Sequence, residues 1–67
     1  MQININGNSR DFEFTQMTVA GLVAALNLTG KRLAIEKNGE IVPRSQFDIV
    51  LLQNGDQLEI VGAVGGG

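Results

Sequence analysis

Apolar and polar positions alternate from the start of the chain, with Ile3 and Ile5 standing between Gln2, Asn4 and Asn6. A period of two is that of a half-buried strand. Asn6-Gly7-Asn8 comes next, residue types that tolerate the positive φ of a tight hairpin turn. Phe12 and Phe14 then alternate with Asp11 and Glu13, which predicts a second strand antiparallel to the first. The period changes at Val19. Val19, Leu22, Val23 and Leu26 fall at i, i+3, i+4 and i+7, one face of a helix. Thr18 is placed to cap it, its hydroxyl accepting an orphan backbone N–H. Gly21 occupies the position where a capping box needs an acid, and it costs about 1 kcal/mol relative to Ala in a helix interior. Close packing or plain tolerance both account for it. Asn27 to Gly30 end the helix.

Leu33 and Ile35 open a third strand, and Asn38-Gly39 is a strong hairpin signal, with Glu40-Ile41-Val42 returning from it. Pro43 lacks an N–H, so the returning strand is short or at an edge. Arg44 to Phe47 read as a turn or a single helical turn that carries Phe47 inward, and Val50 to Leu52 as a brief extended run. Asn54-Gly55-Asp56 turns the chain again, and Leu58 and Ile60 alternate with Gln57 and Glu59 in a last strand that runs to about Val61. The order β-β-α-β-β-short-β predicts an α+β domain over residues 1–62, a mixed sheet of four to five strands wrapped on one main helix. Residues 63–67 are expected to be a flexible tail. The predicted core is Ile3, Ile5, Phe12, Phe14, Leu22, Leu26, Ile35, Phe47, Leu52, Leu58 and Ile60.

Composition narrows what such a domain can do. Sixty-seven residues make one small domain, which buries roughly 60% of its unfolded surface. The chain has no Cys, His, Trp or Tyr. That excludes disulfides, thiolate nucleophiles, iron–sulfur clusters and Cys-based zinc sites, and it removes the usual general base. The net charge is −2, and Arg10, Lys31, Arg32, Lys37 and Arg44 are scattered, with only Lys31 and Arg32 adjacent. Binding to nucleic acid or to an anionic membrane needs clustered cations and is not expected. Met1-Gln2-Ile3-Asn4 resembles no signal peptide, and no apolar run nears the ~20 residues of a membrane span, so a cytoplasmic protein is expected. Glu36, Glu40, Asp48 and Asp56 supply carboxylates for an imagined acid pair, but charges on turns and solvent faces account for them.

After the last strand come Gly62-Ala63-Val64-Gly65-Gly66-Gly67. A frayed end explains such a tail in an arbitrary protein. Here the strand feeds it without a linker, and the carboxylate of Gly67 is the most distinctive reactive group in a chain so poor in chemistry. A carboxylate is a poor acyl donor until adenylated, when AMP leaves readily. An enzyme that adenylates this carboxylate and no Asp or Glu side chain needs a slot that only side-chain-free peptide enters. Glycine at the last positions meets that need.

The segments from Ile35 to Ser45, with Asn38-Gly39-Glu40-Ile41-Val42-Pro43-Arg44-Ser45 inside, and from Asn54 to Gly67 resemble the thiamin-biosynthesis sulfur carrier family. The resemblance covers essentially the whole chain and implies the ubiquitin-like β-grasp fold. It implies a protein co-substrate rather than an enzyme, with no cofactor of its own and no catalytic or metal-binding side chain. An E1-like adenylyltransferase would use ATP and Mg²⁺ to adenylate Gly67. A sulfur donor such as a cysteine desulfurase would convert it to a thiocarboxylate, and thiazole synthase would take the sulfur. Gly65 and Gly66 would thread the enzymes' slots. The sheet face away from the helix is the natural docking surface, with Val42, Ile49, Val61 and Val64 as a candidate apolar patch. The small subunit of molybdopterin synthase, another ubiquitin-like sulfur carrier, or a stand-alone β-grasp ligand-binding or RNA-binding module remain the alternatives.

Overall fold

The computed structural model describes residues 1–62. Strand β1 (Gln2–Ile5) turns through Asn6 (φ 51°) and Gly7 (φ 85°) into β2 (Asn8–Asp11). Two successive positive φ values match the twist that an antiparallel hairpin requires. After β3 (Met17–Thr18) comes α1 (Val19–Ala25), then β4 (Leu33–Lys37) and β5 (Glu40–Val42), joined at Asn38-Gly39. A 3-10 turn (Arg44–Gln46), β6 (Leu51–Leu52) and β7 (Gln57–Gly62) complete the described chain. Five strands form one sheet in the order β2-β1-β7-β4-β5, and β3 and β6 form a separate two-stranded sheet. Only β1 and β7 run parallel; every other pair is antiparallel.

A seven-residue helix is too short to hold itself in water, and α1 is fixed at both ends by named partners. The Thr18 hydroxyl accepts from Gly21 N at 3.0 Å. The two N–H groups before it, on Val19 and Ala20, donate to the carbonyls of Val50 (3.0 Å) and Phe47 (2.7 Å). The segment between the 3-10 turn and β6 thus satisfies donors that a helix start leaves unpaired. At the other end Asn27 takes φ 62°, its N–H donates to Ala24 O (3.0 Å), and Leu28 N donates to Val23 O (2.9 Å). That is a Schellman closure with Asn in the left-handed position.

The core lies between α1 and one face of the five-stranded sheet. It consists of Ile3, Ile5, Met17, Val19, Leu22, Val23, Ile35, Val42, Leu52 and Leu58. Phe12, Leu26, Phe47 and Ile60 are half-buried against it. Phe14 departs from expectation: it is 53% exposed. The second strand covers Asn8–Asp11, and Phe12 and Met1 still exchange two hydrogen bonds of 2.7 Å, from the Met1 ammonium to Phe12 O and from Phe12 N to Met1 O, so Phe14 lies beyond the paired segment. Every residue of β2 is exposed, and its polar side chains suit a sheet edge. Met17, Val19, Val23 and Val42 take the core places that the expected list did not assign. Gly21 is not a close-packing site. A Cβ there would lie 3.5 Å from Thr18 Oγ1 and 3.8 Å from Met17 Cβ, ordinary contacts.

Candidate functional site

β7 is the strand that feeds the C-terminal segment, and it is held on both sides. On one side Asn4 and Ile5 of β1 pair with Gln57 and Leu58. On the other, Leu33, Ala34, Ile35, Glu36 and Lys37 of β4 pair with Gly62, Val61, Ile60, Glu59 and Leu58. The backbone is therefore anchored through Gly62. Ala63, Val64, Gly65, Gly66 and Gly67 lie outside the described residues.

Side chains of turn residues extend this anchoring. Asn38, in the left-handed region with φ 51°, accepts from Gln57 N through Oδ1 at 3.0 Å and donates through Nδ2 to Asp56 Oδ1 at 3.0 Å. Asp56 Oδ2 accepts from Gln53 N at 2.8 Å. Asn6 Oδ1 accepts from Ile60 N at 2.8 Å, and Asn6 Nδ2 donates to Ile60 O at 3.0 Å. Asn54 Oδ1 accepts from Gln2 N at 2.7 Å. Three turn asparagines thus tie the ends of β1 and β7.

These contacts correct the account of Asp56 as a solvent-facing charge. It is 8% exposed, and its carboxylate binds two turns together. The other candidate acids do not converge on it. Glu36 lies opposite Glu59 on the outer sheet face, Glu40 lies opposite Lys37, and Asp48 is exposed in the segment before β6. Among the described residues no three acids are grouped so as to hold a metal ion.

The four residues of the candidate apolar patch separate. Val42 is buried, 7% exposed, paired with Ile35 on the core side, and so is withdrawn from any docking surface. Pro43 ends β5 without turning Val42 outward; the alternation of the strand puts Ile41 outside instead, 77% exposed. Val61 is on the outer face of β7, 59% exposed, opposite the exposed Ala34. Ile49 is exposed but belongs to the connection before β6, not to the five-stranded sheet. Val64 lies outside the described residues. Ile41 carried a readable signal: it stands opposite Glu36, next to the core residue Ile35, and an outward Glu36 requires an outward Ile41.

The comparisons with known proteins agree with this geometry. The sequence model of the ThiS family matches residues 3–67. Over all 67 residues the chain is 43% identical to a thiazole synthase of Paramagnetospirillum magneticum, and it spans 20% of that protein's length. It is 32% identical over 65 residues to the sulfur carrier protein ThiS of Bacillus subtilis, covering 97% of this chain and 98% of that one. The crystal structure of a thiamine biosynthesis protein (ThiS) from Geobacter metallireducens superposes with a TM-score of 0.87 at 29% identity and full coverage of both chains. The fold is accordingly the ubiquitin-like β-grasp, a mixed five-stranded sheet on one helix.

Proposed function

The chain belongs to the ThiS family of sulfur carriers in thiamine biosynthesis, and from that premise we propose that Gly67 is its working residue. In this reading a carboxylate oxygen of Gly67 attacks the α-phosphorus of ATP on an E1-like adenylyltransferase, and Mg²⁺-bound pyrophosphate leaves. The terminal sulfur of a persulfide, formed by a cysteine desulfurase or a related donor, attacks the acyl carbon and AMP leaves. A second thiol then cleaves the donor's S–S bond, which frees the Gly67 thiocarboxylate for attack on an electrophilic carbon in thiazole synthase. The protein is a covalent co-substrate, and its partners supply the catalytic groups. Residues 1–62 serve as the handle, while Gly65 and Gly66 pass through slots too narrow for a side chain.

One observation carries the reading: the family match runs through Gly67 itself. The described side chains point the same way. The buried carboxylate of Asp56 is committed to holding turns together. Thiazole synthase as the acceptor is supported by the Paramagnetospirillum protein, in which a region like this whole chain belongs to a polypeptide of that name five times as long. For docking, the outer sheet face beside β7 is the proposed contact, with Val61 retained and Ile41 added, because both are exposed apolar side chains on the face away from α1. Complementation tests the pathway. The full chain restores growth of a carrier-deletion strain without thiamin, and the chain lacking Gly66 and Gly67 does not. Growth restored by the truncated chain would overturn the proposal.

A further inference from the structure

The parallel ladder between β1 and β7 advances in steps of two residues. Asn4 N donates to Asp56 O at 3.0 Å, and Asn6 N donates to Leu58 O at 2.9 Å. The next step falls at Ile60, but there β1 has run out: at Asn6 the backbone enters the left-handed region, φ 51°, and departs into the hairpin with β2. The Asn6 side chain takes over. Its Oδ1 accepts from Ile60 N at 2.8 Å and its Nδ2 donates to Ile60 O at 3.0 Å. One primary amide thus does the work of a peptide unit, satisfying both polar groups of Ile60 on the side where no strand remains.

We propose that Asn6 is a positioning residue that holds the β1-side edge of β7 at Ile60 while β4 holds the other edge through Gly62, and so fixes the direction in which β7 leads toward Gly67; its consequence for chemistry rests on the reading of Gly67 given above. Ile60 stands seven residues before Gly67. Without the Asn6 amide the stretch from Ile60 to Gly62 is held by β4 on one edge only. Attack on an activated phosphorus or acyl carbon requires tight placement, since a misplacement of about 1 Å costs on the order of a hundredfold in rate. The residue type fits both demands. Asn tolerates the left-handed φ of the turn, and its amide offers a donor and an acceptor at once. Gly meets only the first demand, and Asp meets the first and half of the second.

Asn6→Gly and Asn6→Asp separate these contributions, because both keep the turn. Amide hydrogen exchange of the full chain reads the anchoring, and ATP–pyrophosphate exchange with the adenylyltransferase reads its consequence. In Asn6→Gly the Ile60 amide is expected to exchange about tenfold faster than wild type, with Leu58 unchanged. In Asn6→Asp, which keeps the acceptor, it stays close to wild type. The kcat of pyrophosphate exchange is expected to fall about tenfold in Asn6→Gly and less in Asn6→Asp, with KM for the carrier within about twofold of wild type. An unchanged Ile60 exchange rate in Asn6→Gly, or a loss confined to KM, overturns the inference. Absence of pyrophosphate exchange with wild type counts against the Gly67 reading instead, and the Ile60 rates then decide the role of Asn6 by themselves.

Discussion

Asn38 and Asp56, eighteen positions apart, meet side chain to side chain at 3.0 Å. The contact joins the β4–β5 hairpin to the start of β7. It does so through a carboxylate that is 8% exposed and also accepts from Gln53 N, and through an amide that also accepts from Gln57 N. Removing Asp56 therefore strands a backbone donor and an amide donor together. Asp56→Ala should lose about 1–3 kcal/mol of unfolding free energy. Asn38→Gly, which keeps the positive φ, should lose about 1 kcal/mol. Urea unfolding of the two single variants and the double variant checks this, and the double should lose less than the sum because the pair shares one network.

Gly21 offers the opposite sign. Its surroundings leave ordinary room for a Cβ, and its φ is not in the left-handed region. Gly21→Ala should raise stability by roughly 0.5–1 kcal/mol by restricting the unfolded chain. The same substitution at Gly39, held at φ 86°, should lower stability by about 1 kcal/mol. Thermal unfolding of the two variants side by side reads the difference.

Thr18 caps α1 through the 3.0 Å bond to Gly21 N. Thr18→Ala should cost about 1 kcal/mol, and Thr18→Ser should recover most of it, since the hydroxyl carries the effect. Chemical unfolding midpoints at unchanged slope would confirm that the loss is one of stability.

Much of this was legible before the structure. The period-two runs at Ile3/Ile5 and Leu58/Ile60 became β1 and β7, the Asn-Gly pairs became positive-φ turns, and Thr18 became the cap. What the pattern misassigned has local causes. Phe14 alternates with Glu13 as a strand residue would, but β2 ends at Asp11 and the last hydrogen bonds to its neighbour are made at Phe12, so Phe14 lies outside the sheet. Met17 sits in a two-residue strand, too short to show a period, and it pairs with Leu52 from far along the chain. Val42 is absent from the expected core, and Pro43 after it marks its strand as short or at an edge. Edge position exposes the backbone, whereas the side chain follows the alternation set by Ile35. The hydrogen bonds of Asn6, Asn38 and Asp56 were hidden for another reason: a turn composition is satisfied by backbone φ alone, and nothing local says that the side chains also reach β7.

The docking face gives a prediction that separates surface from core. Val61→Asp places a charge where the side chain is 59% exposed, so unfolding free energy should shift by no more than about 0.5 kcal/mol. Val42→Asp puts an unpaired charge into the core and should unfold the domain. With the fold intact, Val61→Asp should raise KM for the carrier in adenylation, and unchanged kinetics would remove the outer sheet face from the account.

The most direct test of the central claim is an intact mass. The chain is incubated with ATP, Mg²⁺, a sulfide or persulfide donor and the adenylyltransferase, then measured whole and after digestion. The predicted result is a gain equal to one oxygen replaced by sulfur, located on the peptide ending at Gly67 and absent when ATP is withheld. A chain whose mass stays unchanged while the same enzyme thiolates another carrier, or whose added sulfur lies anywhere except Gly67, would contradict the account.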